Sequence, residues 1–301
     1  MANRILHGIV PALLTPFQAD ERIDCGAWQR LIDRMIGAGV DGLFVGGSSG
    51  EFYALDPEER ALSLRFCVQA AAKRVPVFAN VGAITTRDTV RLAVAAQAME
   101  VDVIVVVTPY YLKPTQDELA EHYVEVCRAV QLPVLAYNFP QHGGSEILPE
   151  TLGRVAARAE NLVGLKDSGG RLTQSVAYRD CAPGREMAVF IGPEAILLDA
   201  WNLGCSGAVT ACANIAPRLF VDLYRAFREG RMEEARRMQV LAADLGEALG
   251  LHTFPGMIKE AMRMIAMPLG ACRKPIGPAP ESARQQLAAV IDRLRQAGYL
   301  A

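Results

Sequence analysis

Short runs of apolar, often β-branched residues alternate along the chain with longer segments whose apolar positions recur at helical spacing. This alternation is typical of βα units, in which helices connect buried parallel strands. The segment 103–107, VIVVV, is apolar without interruption, as expected of a strand buried on both faces. Eight segments qualify as strands: 9–13, 42–45, 75–79, 103–107, 134–137, 162–165, 188–191 and 207–210.

Helices are predicted between these strands, among them 27–38, 57–72, 87–99, 116–130 and 149–157. Residues suited to begin a helix, namely Asp56-Pro57, Thr86 and Thr115, precede or open three of them. Eight βα units favour a closed barrel over a doubly wound sheet, which usually has about six or seven strands and a glycine-rich nucleotide turn. We therefore predict an α/β protein with a (β/α)8, or TIM, barrel.

About 90 residues follow the last predicted strand, and they predict four further helices, at 217–229, 232–249, 256–267 and 280–297. The first of these completes the barrel, and the other three form a C-terminal helical extension. We expect the barrel, which carries the active site, to span residues 1–229 and the extension to span residues 230–301.

The composition narrows the class of protein. Hydrophobic residues make up 51% of the chain and charged residues 21%, which suits a large globular core. The net charge of -2 is spread along the chain, and no segment approaches about 18 uninterrupted apolar residues, so neither a nucleic acid nor a membrane is expected as a partner. Seven cysteines without CxxC pairing and an N-terminus without a signal-peptide pattern favour a reduced, cytoplasmic protein.

A lysine ends one of the predicted strands, in the segment NLVGLKDS at 161–168. Reacting groups in TIM barrels lie at the C-terminal ends of strands, where a desolvated Lys166 amine is more easily neutral and can attack a carbonyl to form an imine. A surface ion pair between Lys166 and Asp167 is the alternative interpretation, and this segment alone favours neither.

Tyr137 ends the preceding strand and is followed by Asn138-Phe139-Pro140. A phenol beside a cationic imine can relay protons during imine formation and bond cleavage, although a core tyrosine with a satisfied hydroxyl is the simpler interpretation.

Two further segments follow predicted strands. The sequence GGSSGE at 46–51 lacks the GxGxxG spacing of a nucleotide turn, but its small residues, two hydroxyls and amide N–H groups suit a carboxylate ligand. A plain βα turn is the alternative. The sequence TPYY at 108–111 could shape the mouth of the barrel or pack against another subunit.

Together these segments resemble the dihydrodipicolinate synthase and N-acetylneuraminate lyase family of pyruvate-dependent class I aldolases. The resemblance covers nearly the whole chain and is carried by GSSGE, TPYY, YNFP, GLKDS and the turn at Gly192. It implies a lyase or aldolase that forms a Schiff base with a 2-oxo acid and needs no further cofactor. It also implies a homotetramer built as a dimer of dimers.

The resemblance assigns roles to individual residues. Lys166 would form the Schiff base, and Tyr137 would relay protons. Ser48 and Ser49, with Gly47, would hold the pyruvate carboxylate, and Ser48 would link to Tyr137. Tyr111 would enter the active site of a neighbouring subunit, and the pocket would also be lined by Gly192 and Val209.

The sequence departs from the family at one position that bears on the substrate. In the segment that matches residues 137–144, dihydrodipicolinate synthases have a pattern similar to Y-N-x-P-x-R-T-G, whose arginine binds the carboxylate of aspartate semialdehyde. This chain has YNFPQHGG there. The matching residue is His142, which is shorter and usually neutral and cannot form the same bidentate clamp. The second substrate is therefore expected to be another aldehyde, or a 2-oxo-3-deoxy sugar acid that is cleaved or dehydrated, with His142 and Gln141 contacting its hydroxyls.

Two alternatives stay open at this stage. The chain could be an authentic dihydrodipicolinate synthase that condenses pyruvate with aspartate semialdehyde through His142 or another residue. It could also be a catalytically silent protein that binds a 2-oxo acid. A metal-dependent enzyme is not expected, because the remaining histidines are isolated and show no HxH or HExxH spacing.

Overall fold

The computed structural model describes residues 6–300 of the chain. Its strands are β1 Gly8–Pro11, β2 Leu43–Val45, β3 Val77–Asn80, β4 Val103–Val107, β5 Val134–Asn138, β6 Leu162–Asp167, β7 Ala188–Ile191 and β8 Gly207–Thr210. They form one parallel sheet in the order β1-β8-β7-β6-β5-β4-β3-β2. A parallel bridge between Ala12 and Phe44 joins the two outermost strands and closes the sheet into a barrel.

Helices follow the strands in turn and surround the barrel. They are α1 Cys25–Gly37, α2 Pro57–Ala71, α3 Thr86–Ala98, α4 Gln116–Ala129, α5 Pro140–Gly143, α6 Pro149–Ala156, α7 Leu172–Arg179, α8 Leu197–Asn202, α9 Pro217–Arg228, α10 Met232–Leu249, α11 Gly256–Met264 and α12 Glu281–Gln296. The predicted TIM barrel with C-terminal helices is therefore confirmed. The division into a barrel domain and a helical extension at residue 230 stays a prediction.

The element boundaries differ from the predicted ones for local reasons. Helix α3 is capped by Thr85, whose side chain accepts a hydrogen bond from Asp88 N, and Thr86 is its first residue. Strand β3 begins at Val77, after Pro76, which has no N–H for the sheet. The last predicted turn of α11 does not form, and Ala266 has a φ of +58° instead.

Side chains alternate between two cores along each strand. One core lies between the strands and the outer helices and includes Ala136 and Leu165. The other fills the lumen of the barrel and includes Phe44, Tyr137 and Val209. In β6, Leu165 packs outward, so the next side chain, that of Lys166, points into the lumen.

The three last helices pack on the barrel rather than apart from it. Helix α10 lies against α9 and α8, and Gln239 on α10 donates from Nε2 to Glu194 O (2.7 Å) in the loop after β7. Helix α12 packs on α10, where Arg293 and Asp244 form an ion pair at 2.6 Å. Across residues 6–300, none of these helices or the earlier ones is both long and apolar enough to cross a membrane.

Candidate active site

Lys166 lies in β6 with its side chain among aromatic rings in the lumen. The residue is 5% exposed, and its Nζ lies 3.9 Å from the centre of the Tyr137 ring and 4.7 Å from that of Phe44. No carboxylate among the described residues forms a salt bridge with it. The amine is therefore desolvated and without a counter-ion, which is the environment that favours a nucleophilic lysine.

Asp167 does not pair with Lys166, so the alternative of a surface ion pair is wrong. Adjacent residues of a strand face opposite sides, and Asp167 is turned away from the lumen. Its carboxylate accepts hydrogen bonds from Asn138 Nδ2 (3.1 Å), Gly169 N (2.9 Å) and Ser175 Oγ (2.7 Å). These donors occupy the carboxylate and leave the amine next to it in sequence free.

Tyr137 stands opposite Lys166 in the register between β5 and β6. It is 1% exposed, and its Oη lies 3.4 Å from Ser48 Oγ, with either hydroxyl able to donate. The structure thus brings the lysine, the tyrosine and the first serine of the predicted site together. Ser49 is also buried and lies beside Ser48 in the same loop.

The loop of residues 46–51, which follows β2, is buried along its whole length. Gly46 has a φ of +70°, and its carbonyl accepts from Asn80 Nδ2 (2.8 Å). A side chain on Gly47 would lie 2.5 Å from the Phe44 ring, so glycine is required there. Thr15 Oγ1 donates to Gly50 O (2.7 Å). Buried neighbours from β2, from β3 and from the segment that follows β1 therefore fix this loop.

No local sequence pattern indicates which group holds the end of this loop. Glu51 is buried and forms an ion pair with Lys259 of α11, at 2.6 Å between Oε1 and Nζ. Burial lowers the pKa of Lys259, and the Glu51 carboxylate opposes that shift. Arg273 N donates to Glu51 Oε2 (3.0 Å). Glu51 lies more than two hundred positions from both Lys259 and Arg273 in the sequence, so no local motif connects it to them.

A cavity of about 170 Å³ opens above Ser48. It is smaller than a typical pocket for a drug-sized ligand. It is lined by Ser48, Phe52, Tyr53, Val107, Tyr110, Phe139, His142, Gly143 and Phe254. Five of these residues are aromatic and none is Lys, Arg, Asp or Glu. Phe254 comes from the connection between α10 and α11, so the C-terminal extension contributes one wall.

His142 lines this cavity, whereas Gln141 does not. The His142 ring lies 4.3 Å from the Phe139 ring and 5.7 Å from the Phe254 ring, centre to centre. Burial against these rings lowers the pKa of His142, so its imidazole is neutral at pH 7. Gln141 instead donates from Nε2 to Gly169 O (2.9 Å), outside the cavity.

Gly192 and Val209 lie at the ends of β7 and β8. Gly192 N donates to Asp167 O (2.8 Å), and a side chain at Gly192 would meet Ser168 Oγ at 2.3 Å. Val209 is buried in the lumen core. Neither residue lines the cavity of 170 Å³.

The aromatic pair after β4 is split between two environments. Tyr110 packs edge-on against Phe52 at 5.6 Å and lines the cavity. Tyr111 is 96% exposed and has a φ of +74°, an unfavourable conformation for a bulky residue. Within this single chain Tyr111 lies outside the cavity.

The geometry describes a buried amine and a phenol in the lumen, next to a hydroxyl, that of Ser48, which lines an uncharged cavity. No group of three or more His, Cys, Asp or Glu side chains suited to a metal ion occurs between residues 6 and 300. The family model described as the dihydrodipicolinate synthetase family matches residues 5–294. The chain belongs to this family.

Relatives of this family member include both a synthase and an aldolase. The chain is 37% identical over 286 residues to the probable 2-dehydro-3-deoxy-D-pentonate aldolase YjhH of Escherichia coli K12, and the match covers 93% of this chain and 94% of that protein. It is 34% identical over 296 residues to a 4-hydroxy-tetrahydrodipicolinate synthase of Methylococcus capsulatus, covering 98% and 100%. The predicted family, and with it the prediction of a lyase or aldolase enzyme, is confirmed.

A solved structure of the same family has a closely similar fold. It is the crystal structure of YagE, a prophage protein of Escherichia coli K12 in the dihydrodipicolinic acid synthase family, in complex with pyruvate. Its TM-score is 0.92 at 33% identity, and the match covers 96% of this chain and 98% of that one. The family member described here therefore shares its whole fold with a pyruvate-binding relative.

Proposed function

We propose that this protein is a class I aldolase or lyase that forms a Schiff base between Lys166 and a 2-oxo acid, pyruvate or a 2-oxo-3-deoxy acid. The observation that carries the proposal is the Lys166 amine, buried without a carboxylate partner and set against the Tyr137 ring at 3.9 Å. An amine in such a site is placed to attack the ketone carbon of a bound 2-oxo acid.

In the proposed mechanism, the 2-oxo acid carboxylate binds Ser48, Ser49 and the backbone amides beside Gly47. The Lys166 Nζ attacks C2 of the substrate, and loss of water from the carbinolamine leaves an iminium ion. The C4 hydroxyl gives its proton to the Tyr137 relay as the bond between C3 and C4 breaks, the electron pair of that bond moves into the iminium to form an enamine, and an aldehyde departs. Protonation of C3 and hydrolysis return pyruvate and the free lysine. The reverse sequence is condensation, and the chemistry needs neither a metal nor another cofactor.

Tyr137 has the role of proton relay in this scheme. Its Oη lies within hydrogen-bonding distance of Ser48 Oγ, so the phenol and the hydroxyl form a short path between the lysine and the cavity. Gly192 and Val209 limit the space around the bound 2-oxo acid.

The cavity supports an uncharged partner aldehyde. Its wall carries five aromatic residues and a neutral His142, so a carboxylate placed there would lose hydration without gaining a counter-charge. The similarity to the pentonate aldolase favours a 2-oxo-3-deoxy sugar acid, whose cleavage releases an uncharged aldehyde. His142 is the residue placed to contact that aldehyde. Gln141, which lies outside the cavity, is not part of this proposal.

Two features bear on the assembly. Tyr111 is almost fully exposed in a conformation that costs about 1–3 kcal/mol, and such strain at a functional site is commonly maintained by surrounding structure. We propose that Tyr111 enters the active site of a neighbouring subunit in a cytoplasmic homotetramer.

Borohydride trapping tests the central proposal. Reduction in the presence of pyruvate is expected to add a pyruvyl group to Lys166, detected by peptide mass spectrometry. No adduct on any lysine would reject the Schiff base and favour a silent 2-oxo acid binding protein. Two assays then separate the enzymes: release of pyruvate from 2-dehydro-3-deoxy-D-pentonate, and condensation of pyruvate with aspartate semialdehyde. Faster turnover in the second would identify a dihydrodipicolinate synthase.

A further inference from the structure

The loop that carries Ser48 and Ser49 is connected to the C-terminal helices by a buried ion pair. The carboxylate of Glu51 and the amine of Lys259 are 0% and 3% exposed. Lys259 Nζ also donates to Ala271 O (3.0 Å) and lies 4.2 Å from the centre of the Phe17 ring. A buried charge that loses its partner is costly, so each of the two side chains fixes the position of the other.

A second connection reaches the same carboxylate from the segment that follows α11. Arg273 donates its backbone N–H to Glu51 Oε2, and its guanidinium donates to Ala54 O (2.6 Å) and pairs with Glu59 of α2. Both oxygens of Glu51 are therefore bound by groups from the C-terminal part of the chain. The carboxylate has no surface to offer a substrate.

Glu51 is placed to transmit this restraint to the serine hydroxyls. Its backbone N–H donates to Ser48 O (3.1 Å), which closes a tight turn through Ser49 and Gly50. Its φ of +55° fixes the direction in which the chain leaves that turn. Movement of Glu51 therefore moves the backbone that carries the two hydroxyls.

We propose that Glu51 and Lys259 are positioning residues for the 2-oxo acid carboxylate, so that helix α11 forms an outer layer of the active site. This inference rests on the proposed function, because it assigns the carboxylate to Ser48 and Ser49. A buried ion pair is a poor source of stability compared with apolar packing, whereas it fixes the loop in one geometry. Placement of binding groups within about 1 Å governs how well a small ligand is held.

The test uses the full-length protein and two measurements. Trapping with borohydride over a range of pyruvate concentrations gives the half-saturating concentration, and turnover of the cleaved substrate gives kcat. In Lys259→Met and Glu51→Gln, the half-saturating pyruvate concentration is expected to rise about ten- to a hundredfold. We expect kcat at saturation to fall far less, because Lys166 and Tyr137 are untouched.

Controls separate positioning from loss of stability. Leu287→Ala opens a cavity in α12 and lowers the Tm but keeps both residues of the ion pair, so it should leave pyruvate binding unchanged. Asp244→Asn breaks the ion pair between α10 and α12, and it should also leave pyruvate binding unchanged. If both ion-pair variants fail to fold, Glu51→Asp keeps the charge and tolerates the left-handed backbone, and its shorter side chain should still weaken pyruvate binding.

The outcomes distinguish a failure of the proposed function from a failure of the positioning role. A wild-type protein that is not modified by pyruvate and borohydride contradicts the proposed function itself. If wild-type is modified but the Lys259 and Glu51 variants saturate at its pyruvate concentration, the positioning role is wrong. The positioning role is also wrong if the Lys259 and Glu51 variants weaken pyruvate binding no more than Leu287→Ala does at an equal loss of Tm.

Discussion

The loops after β2 and β5 border the same cavity but are held in different ways. Residues 46–51 are buried throughout, and side chains from Thr15, Asn80 and Lys259 bind them. In α5, after β5, Gln141 and His142 are exposed, and the Gln141 side chain forms a hydrogen bond with Gly169 O, outside the cavity. The difference indicates a fixed half of the site for the 2-oxo acid and an adaptable half for the aldehyde. Changes in the first half should weaken or abolish the reaction with every aldehyde, and changes in the second should redirect it.

Replacing the buried amine should have the largest effect. In Lys166→Met we expect no pyruvyl adduct and turnover at background, because no other lysine of residues 6–300 lies in the lumen core. Mass spectrometry after borohydride reduction and a pyruvate-release assay measure both quantities. Lys113→Met, at an exposed position, is the matched control and should behave as wild type. Full activity in Lys166→Met would contradict the mechanism.

Removing one hydroxyl from the same half tests the proton relay. In Tyr137→Phe we expect kcat to fall about 10²- to 10⁴-fold, the usual contribution of a positioned acid-base group. The ring, its packing against Phe44 and the Tm should be retained. An unchanged rate would rule out the relay.

In the adaptable half, His142→Arg should change the choice of aldehyde. A hydrogen bond to a charged group is worth about 1.5–3 kcal/mol, so condensation of pyruvate with succinic semialdehyde should improve about ten- to a hundredfold. Condensation with glycolaldehyde should change little. The two kcat/KM values measured side by side check this, with His142→Gln as the uncharged control. An arginine that improved neither aldehyde would place the partner substrate elsewhere.

Truncating Phe254, the cavity residue contributed by the C-terminal extension, should have a smaller effect. In Phe254→Ala the cavity gains the volume of a ring, so longer uncharged aldehydes should be accepted about tenfold better, the range expected for a change of pocket size. A series of straight-chain aldehydes with pyruvate measures the change. Pyruvate saturation should stay as in wild type, and a rise there would show that Phe254 belongs to the fixed half.

Acidification should produce the smallest change. Burial lowers the pKa of His142 below its usual value, so the ring is neutral at pH 7 and becomes a cation only as the pH falls through that lowered pKa. The ratio of rates with succinic semialdehyde and glycolaldehyde should therefore rise severalfold toward acid pH. Taking the ratio removes the pH dependence of the shared lysine chemistry. In His142→Gln the ratio should be flat, and an equal slope in both proteins would exclude His142 as its source.

Hydrophobic patterning predicted the barrel because each strand is encoded locally. All eight strands form, and the motif residues at their ends meet at one mouth since parallel strands end on the same side. The strand predicted over 162–165 was too short, because a lysine and an aspartate interrupt the apolar run. In the structure β6 continues to Asp167: aromatic rings cover Lys166, and three donors satisfy Asp167.

Local sequence patterns do not predict contacts between distant parts of the chain. Nothing near Glu51 indicates that it pairs with Lys259, and nothing near Phe254 indicates that it lines the cavity beside His142. Gln141 is predicted at the substrate together with His142, and in the structure its side chain binds Gly169 O while His142 lines the cavity, because successive residues of a helix point in different directions. Roles that depend on packing between the barrel and the extension need the three-dimensional structure.

The placement of Phe254 and His142 has a consequence for how such a protein can diversify. Both lie outside the strands: His142 is on a four-residue helix, and Phe254 is on the connection between two C-terminal helices. Mutations there can accumulate without disturbing the hydrogen-bonded barrel or the buried lysine. An ancestral catalyst could thus acquire new aldehyde partners through two short surface segments, and a protein engineer could randomise the same two segments as one small library.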